Sequence, residues 1–313
     1  MDNVTRRYTW VFFLILISIM VVAYLLSVFA VPQNKPRMLP AANDESAYVT
    51  VRDTSGRVIL ETGLPVSPQD EYIDEHNTNY IVESVNGRNA VARIKATEKP
   101  SKNPQSEQVI SQLPAALPAQ SPATNTHVVI YHSHSDESYG YNTGITSKPG
   151  DGDIYRVGSA LTRSLEKSGI SVTQSFNNHG PHDINAYHRS RRTAVNLLKE
   201  RPDAIFDIHR DSVPSQAYFT TVNSVNAARV MIVVGRSNPK QKTNLAFARQ
   251  IKAMGDALYP GMMRGIFIGQ GDYNQDLYPT ALIFEIGTDS MSVDLAENGA
   301  TCLGDVITQV IAR

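Results

Sequence analysis

Hydrophobic and polar residues change period several times along this chain, and the changes divide it. Between residues 10 and 31 no charged side chain occurs. About 20 apolar residues suffice to carry a helix across a bilayer. Arg6 and Arg7 precede the run, and basic flanks stay on the cytoplasmic side, so everything downstream is expected outside the membrane. Val28-Phe29-Ala30 satisfies the small-residue rule for signal cleavage, but the run exceeds the roughly 7 to 15 residues of a signal core. A retained anchor over residues 1–31 is the expectation, and both readings export the remainder. Residues 32–45 turn to Pro, Asn and charge and read as a tether. In residues 46–96, short period-two runs around Val49, Val58 and Tyr80 are broken by Ser55-Gly56 and Asn86-Gly87, the signature of a small β-rich module. Its acids are scattered and His76 is its one histidine, so a spacer or docking role is expected. Residues 97–126, with Pro100, Pro104, Pro114, Pro118 and Pro122, cannot bury enough apolar surface to offset ordering and read as a linker.

From residue 127 onward apolar runs alternate with helical spacing. Strands are predicted at residues 128–131, 170–176, 204–208, 230–235, near Ile266 and at 281–286. Between them Val157, Ala160, Leu161 and Leu165 fit a helix stopped by Gly169, residues 190–199 fit a second stopped by Pro202, and residues 244–258 a third; a last helix covers 292–311. Such alternation, with strands apolar throughout, predicts an α/β domain over residues 127–313 whose mainly parallel sheet is covered by helices on both faces.

Charge and cysteine narrow the chemistry. Lys plus Arg number 29 against 30 Asp plus Glu, and no basic cluster is interleaved with aromatics, so no nucleic-acid partner is expected. Cys302 is the one cysteine, which removes disulfides and thiolate zinc sites within one chain.

The remaining chemistry gathers where apolar runs stop. Val128-Val129-Ile130-Tyr131 ends in His132-Ser133-His134-Ser135-Asp136-Glu137; Ala204-Ile205-Phe206-Asp207-Ile208 ends in His209-Arg210-Asp211; Ala281 to Ile286 carries Glu285 in its midst. Ligands in open α/β sheets bind outside the carboxyl ends of strands. A carboxylate within an apolar strand is costly unless paired or functional. Alternation puts His132 and His134 on one side, with Glu137 a short turn further. Imidazole and carboxylate suit zinc, whose catalytic sites keep three protein ligands and one open position. His179 and His182 flank Gly180-Pro181 and lack a rigid platform, and Asp207 is placed to brace a neighbour or to bind Arg210.

His132-Ser133-His134 with Glu137-Ser138, Asp207-Ile208-His209-Arg210-Asp211, Tyr273-Asn274-Gln275-Asp276-Leu277 and Glu285-Ile286-Gly287-Thr288 resemble the stage II sporulation protein P family of endospore-forming bacteria. The resemblance spans residue 128 to the C-terminus. It implies a fold similar to the zinc-dependent N-acetylmuramoyl-L-alanine amidases, cleavage of peptidoglycan stem peptides from glycan, endopeptidase action on cross-links, and a role in engulfment beside the sporulation proteins D and M. It further implies a single-pass membrane protein with its catalytic domain on the extracytoplasmic side, between the septal membranes. Carried over by residue, it makes His134, Glu137 and His209 the zinc ligands and Glu285 the general base, with His132 and Asp153 the alternative ligands. A non-catalytic wall-binding scaffold and another zinc hydrolase, such as a deacetylase, are the competing readings.

Overall fold

The computed structural model describes residues 48–97 and 126–311. The predicted anchor and tether, and nearly all of the predicted linker, lie outside these residues. Among the described residues no helix is long and apolar enough to cross a membrane.

Five strands come first: β1 (Val49–Asp53), β2 (Val58–Thr62), β3 (Glu71–Asp74), β4 (Thr78–Asn86) and β5 (Asn89–Thr97). The second part runs β6 (His127–Tyr131), α1 (Ile154–Lys167), β7 (Ser171–Gln174), α2 (Ala186–Leu197), β8 (Ala204–Asp211), β9 (Phe219–Val222), β10 (Val225–Ala228), β11 (Val230–Gly235), α3 (Gln241–Leu258), β12 (Met263–Gly269), β13 (Ala281–Thr288) and α4 (Val293–Ile311). One sheet takes eleven of the strands in the order β2-β1-β5-β4-β3-β12-β11-β13-β8-β6-β7, while β9 and β10 pair as a separate hairpin.

The sheet is mixed, which corrects the expectation of a mainly parallel one. Pairs β6–β7, β6–β8, β8–β13, β11–β12 and β1–β5 are parallel, whereas β11–β13, β3–β12, β3–β4, β4–β5 and β1–β2 are antiparallel. An apolar run reports burial on both faces and says nothing of direction. A parallel return needs a crossover of about a dozen residues, usually a helix. Residues 270–280 hold only a short 3-10 turn at Gln275–Leu277, and β13 comes back antiparallel to β11.

Helices cover both faces. On one, Ile130, Phe206 and Phe284 pack with Ile154, Val157 and Leu161 of α1, Phe247 of α3 and Leu303 of α4; the Phe206 ring lies 5.1 Å from Phe284 and 6.3 Å from Phe247. On the other, a smaller cluster of Val129, Tyr131, Ile205 and Ala281 meets Ala194 and Leu197 of α2. Because side chains alternate along a strand, this second face also receives Asp207 and His209 from β8 and, in register with His209, Glu285 from β13.

The early strands extend the sheet through β3, which pairs with β12, a strand buried at all seven positions. Polar groups fasten the join. The Tyr72 hydroxyl donates to the Arg264 carbonyl at 2.7 Å, Arg236 meets buried Asp70 at 3.0 Å, and buried Lys252 reaches the Asn77 amide oxygen at 3.0 Å. The Gly63 N–H donates at 2.7 Å to Asp211 on β8, two residues beyond His209.

Helix α1 approaches the end of β6 at Gly158. A β-carbon built there would lie 2.6 Å from the His132 ring and 2.6 Å from the Gln174 amide. Alanine normally improves a helix interior by up to about 1 kcal/mol over glycine. Overpacking costs about 1 to 3 kcal/mol, so Gly158→Ala is expected to destabilise the protein on balance. Denaturant unfolding checks this through a lowered midpoint at unchanged slope.

Candidate metal centre

Strand β6 ends at Tyr131, and there the chain leaves the extended conformation. The Ser133 N–H donates to Asp207 Oδ1 at 2.8 Å, which pins the turn to the neighbouring strand. With alternation ended, His132 and His134 part, contrary to the expectation that both lie on one side. His132 is fully buried beneath α1, donating from Nδ1 to the Ile208 carbonyl at 3.1 Å and accepting from Gln174 at Nε2 at 3.1 Å. Burial holds its pKa down to about 4, so it stays neutral. His134 turns to the opposite face.

The turn continues through Glu137, whose N–H returns to the His134 carbonyl at 3.3 Å. Glu137 Oε1 then lies 3.4 Å from His134 Nδ1 and 3.5 Å from His209 Nδ1. Ligand atoms of His134, Glu137 and His209 all fall within 4.8 Å of one another, so the three could hold a metal ion. Asp153, the alternative acid, stands apart at the start of α1, bound to Lys148 Nζ at 2.7 Å and the Tyr139 N–H at 3.3 Å.

Each member of the cluster is held from behind. The Arg210 N–H donates to Glu137 Oε2 at 3.0 Å. His209 Nε2 faces Asp207 Oδ1 at 3.0 Å and Ser133 Oγ at 2.8 Å, which leaves Nδ1 toward Glu137. A ligating histidine characteristically donates its other nitrogen to a carboxylate, which fixes tautomer and orientation. Of the two roles its position suggested, Asp207 thus takes that of bracing a neighbour rather than of binding Arg210. Asp207→Asn is expected to weaken zinc binding by about 10- to 100-fold while keeping the fold. Competition against a zinc indicator measures it; an unchanged affinity would exclude the brace.

Burial and mutual charge set the electrostatics. Burial alone would raise Glu137, yet the charge of His209 and hydrogen bonds from His134 and His209 hold it well below the usual carboxylate range. Burial alone would lower His209, but Asp207 and Glu137 hold its pKa well above the ordinary imidazole value. Glu285, 2% exposed, is pushed well above the carboxylate range by burial, and its Oε2 has no hydrogen-bond partner among the described residues.

Three features beside the cluster carried little signal in the sequence. The His182 ring stacks on His134 at 4.1 Å and its Nδ1 meets Asp136 at 3.1 Å, so a loop histidine set aside as lacking a platform borders the site. His179 is structural, engaging the His132 carbonyl at 2.7 Å and Thr193 at 2.8 Å. Tyr187, in the first turn of α2, lies 5.3 Å from the His134 ring and 6.2 Å from that of His209. Tyr273 packs on Tyr187 at 5.3 Å. Its loop is locked by the Gln275 side chain, which pairs with the Gly235 N–H and the Val233 carbonyl, both at 2.8 Å.

Fold and site define the class: an α/β protein with a candidate single-metal centre at neighbouring strand ends, beside a buried carboxyl group. The model of the Stage II sporulation protein P (SpoIIP) family matches residues 53–308, and the chain belongs to that family, as its motifs implied. Stage II sporulation protein P of Bacillus subtilis (strain 168) is 27% identical over 212 residues, covering 62% of this chain and 53% of that protein. The chain therefore spans about half the length of the curated relative it matches. Among solved structures, similarity extends to the CwlD amidase from Clostridioides difficile, in complex with the GerS lipoprotein, at 14% identity and TM-score 0.37 over 59% of this chain and 98% of that one. The N-acetylmuramyl-L-alanine amidase Ami1 from Mycobacterium smegmatis gives 17% identity and TM-score 0.38 over 61% and 97%.

Proposed function

We propose that this chain is a zinc-dependent peptidoglycan hydrolase of sporulation that cleaves the amide between N-acetylmuramic acid and the L-alanine of the stem peptide. The observation that carries the reading is the convergence of His134, Glu137 and His209 beside buried Glu285. Two imidazoles and a carboxylate are the donor set of a catalytic zinc site. The brace from Asp207, and a carboxyl oxygen of Glu285 buried without a partner among the described residues, fit a site that binds a cation. His134, Glu137 and His209 would hold the ion.

Zinc would supply Lewis acidity, polarising the scissile carbonyl and easing deprotonation of the attacking water. Glu285 takes the proton of that water and returns it to the leaving nitrogen, work suited to a carboxyl whose pKa lies above the ordinary range. Asp207 keeps His209 in one tautomer, and Arg210 lends its backbone N–H to Glu137. Endopeptidase action on cross-links belongs to the same proposal. So do the extracytoplasmic setting behind the predicted anchor, engulfment, and the sporulation proteins D and M as partners.

The test is digestion of purified sacculi by the detergent-solubilised chain, with and without chelator, read by product mass. An amidase frees intact stem peptides beginning at L-alanine, a deacetylase releases acetate, and an endopeptidase separates cross-linked peptides without freeing them from glycan. Cleavage that persists in chelator would overturn the metal-dependent reading. A zinc-loaded chain that binds sacculi without cutting them would replace the enzyme by a scaffold.

A further inference from the structure

Tyr187 is held from several sides. Its ring meets His134 at 5.3 Å and 60°, lies nearly parallel to His209 at 6.2 Å and 16°, and is backed by Tyr273 at 5.3 Å. Its carbonyl accepts from the Asn274 amide at 3.0 Å and from the Ser190 hydroxyl at 3.2 Å. Tyr273 and Asn274 both adopt left-handed backbone, with φ of 51° and 59°. Non-glycine residues adopt this conformation uncommonly, and those held in it concentrate at functional sites.

Against this fixed ring the hydroxyl is idle. Tyrosine hydroxyls that sit among packed side chains normally find a partner, as three others in this domain do. Tyr139 donates to the Ile286 carbonyl at 2.7 Å, Tyr155 to that of Asn177 at 3.2 Å, and Tyr218 to Asp211 at 3.0 Å. The Tyr187 hydroxyl has no hydrogen-bond partner among the described residues and is not sealed from solvent. A rigid donor with nothing to donate to, packed on two candidate ligands, is arranged for an acceptor that arrives with the substrate.

We propose that Tyr187 is a catalytic residue, its phenol donating a hydrogen bond to the oxygen of the scissile carbonyl as that oxygen gains negative charge. The inference rests on the amide-hydrolase reading. In the addition step, the water oxygen bonds to the carbonyl carbon, a water proton passes to Glu285, and the C=O π pair moves onto the oxygen facing Tyr187. On collapse the carbonyl re-forms, the C–N bond breaks, and the proton held by Glu285 goes to the departing nitrogen. Tyr187 keeps its own proton throughout. A donor fixed in advance costs no reorganisation, and removing one such donor typically lowers kcat by about 100- to 1,000-fold.

Tyr187→Phe in the full chain tests this, since it removes one oxygen and keeps every ring contact. Two probes are used: a muramoyl-L-alanyl peptide, and its phosphinate analogue with a tetrahedral anionic group in place of the amide. Expected are a kcat reduced about 100-fold, a KM within about twofold and analogue affinity lowered by about the same factor as kcat, with zinc content equal to the parent's. A kcat within about threefold of the parent's, or a loss carried by KM or by zinc content, would overturn the proposal. The analogue arm decides the matter independently, because equal analogue affinity in parent and variant overturns Tyr187 even where the parent does not turn over. A zinc-loaded parent that leaves the peptide uncut counts against the hydrolase reading.

Discussion

Glu285→Gln is expected to bind zinc as the parent does and to release stem peptides about 100- to 10,000-fold more slowly, the range attributable to one general acid–base group. Three observations set this expectation. Glu285 lies on β13 in register with His209, so the base stands beside a candidate ligand without belonging to the cluster. Its Oε2 is buried without a partner among the described residues, leaving an oxygen to which a water can bond. Burial drives its pKa above the usual carboxylate range, the direction needed by a group that must accept a proton and then surrender it. Glutamine keeps the shape and loses the proton traffic. It also removes a carboxylate whose burial is unfavourable, so the metal-free variant should melt no lower than the metal-free parent. Product mass, elemental zinc and thermal unfolding read the three parts. Near-parent peptide release at full zinc content would remove Glu285 from the mechanism.

His209→Ala should be the more damaging change, because it costs metal and fold together. In the metal-free protein its ring is the cation between two buried carboxylates, 3.0 Å from Asp207 and 3.5 Å from Glu137. Removing one partner of a buried ion pair typically costs about 3 to 5 kcal/mol, since the charge left behind has neither water nor counter-ion. The protein is expected to purify with little zinc and with a markedly lower melting temperature, whereas His134→Ala, at the more exposed edge of the cluster, should lose zinc with a smaller thermal cost. Stoichiometric zinc in the His209 variant would exclude it as a ligand.

The elements were largely legible. The runs at residues 204–208, 230–235 and 281–286 are strands, and the spacing of Val157, Leu161 and Leu165 is that of α1. The short strand β3 and the hairpin of β9 and β10 escaped, since a four-residue strand without a longer run around it, such as residues 170–176 gave β7, carries too few alternations to separate from loop. At the site, the strand-end pattern led to His134, Glu137, His209 and Glu285, which the structure gathers. It did not separate His132 from His134, because that depends on where β6 stops, and β6 stops where Asp207 of another strand captures the Ser133 N–H. Tyr187 left no trace in the pattern: one aromatic residue in a helix's first turn reads as packing until its hydroxyl is seen to be unpartnered.

What the sequence determined by itself was therefore local: where apolar runs begin and end, and which titratable residues sit where they end. Burial imprints itself on neighbouring positions, so it can be read from them. Strand direction, the merging of the early strands with the main sheet through β3 and β12, the face to which each histidine turns, and the brace of Asp207 on His209 were decided by tertiary structure alone. They follow from which backbone groups, distant in sequence, satisfy one another's hydrogen bonds, and no local period records that choice.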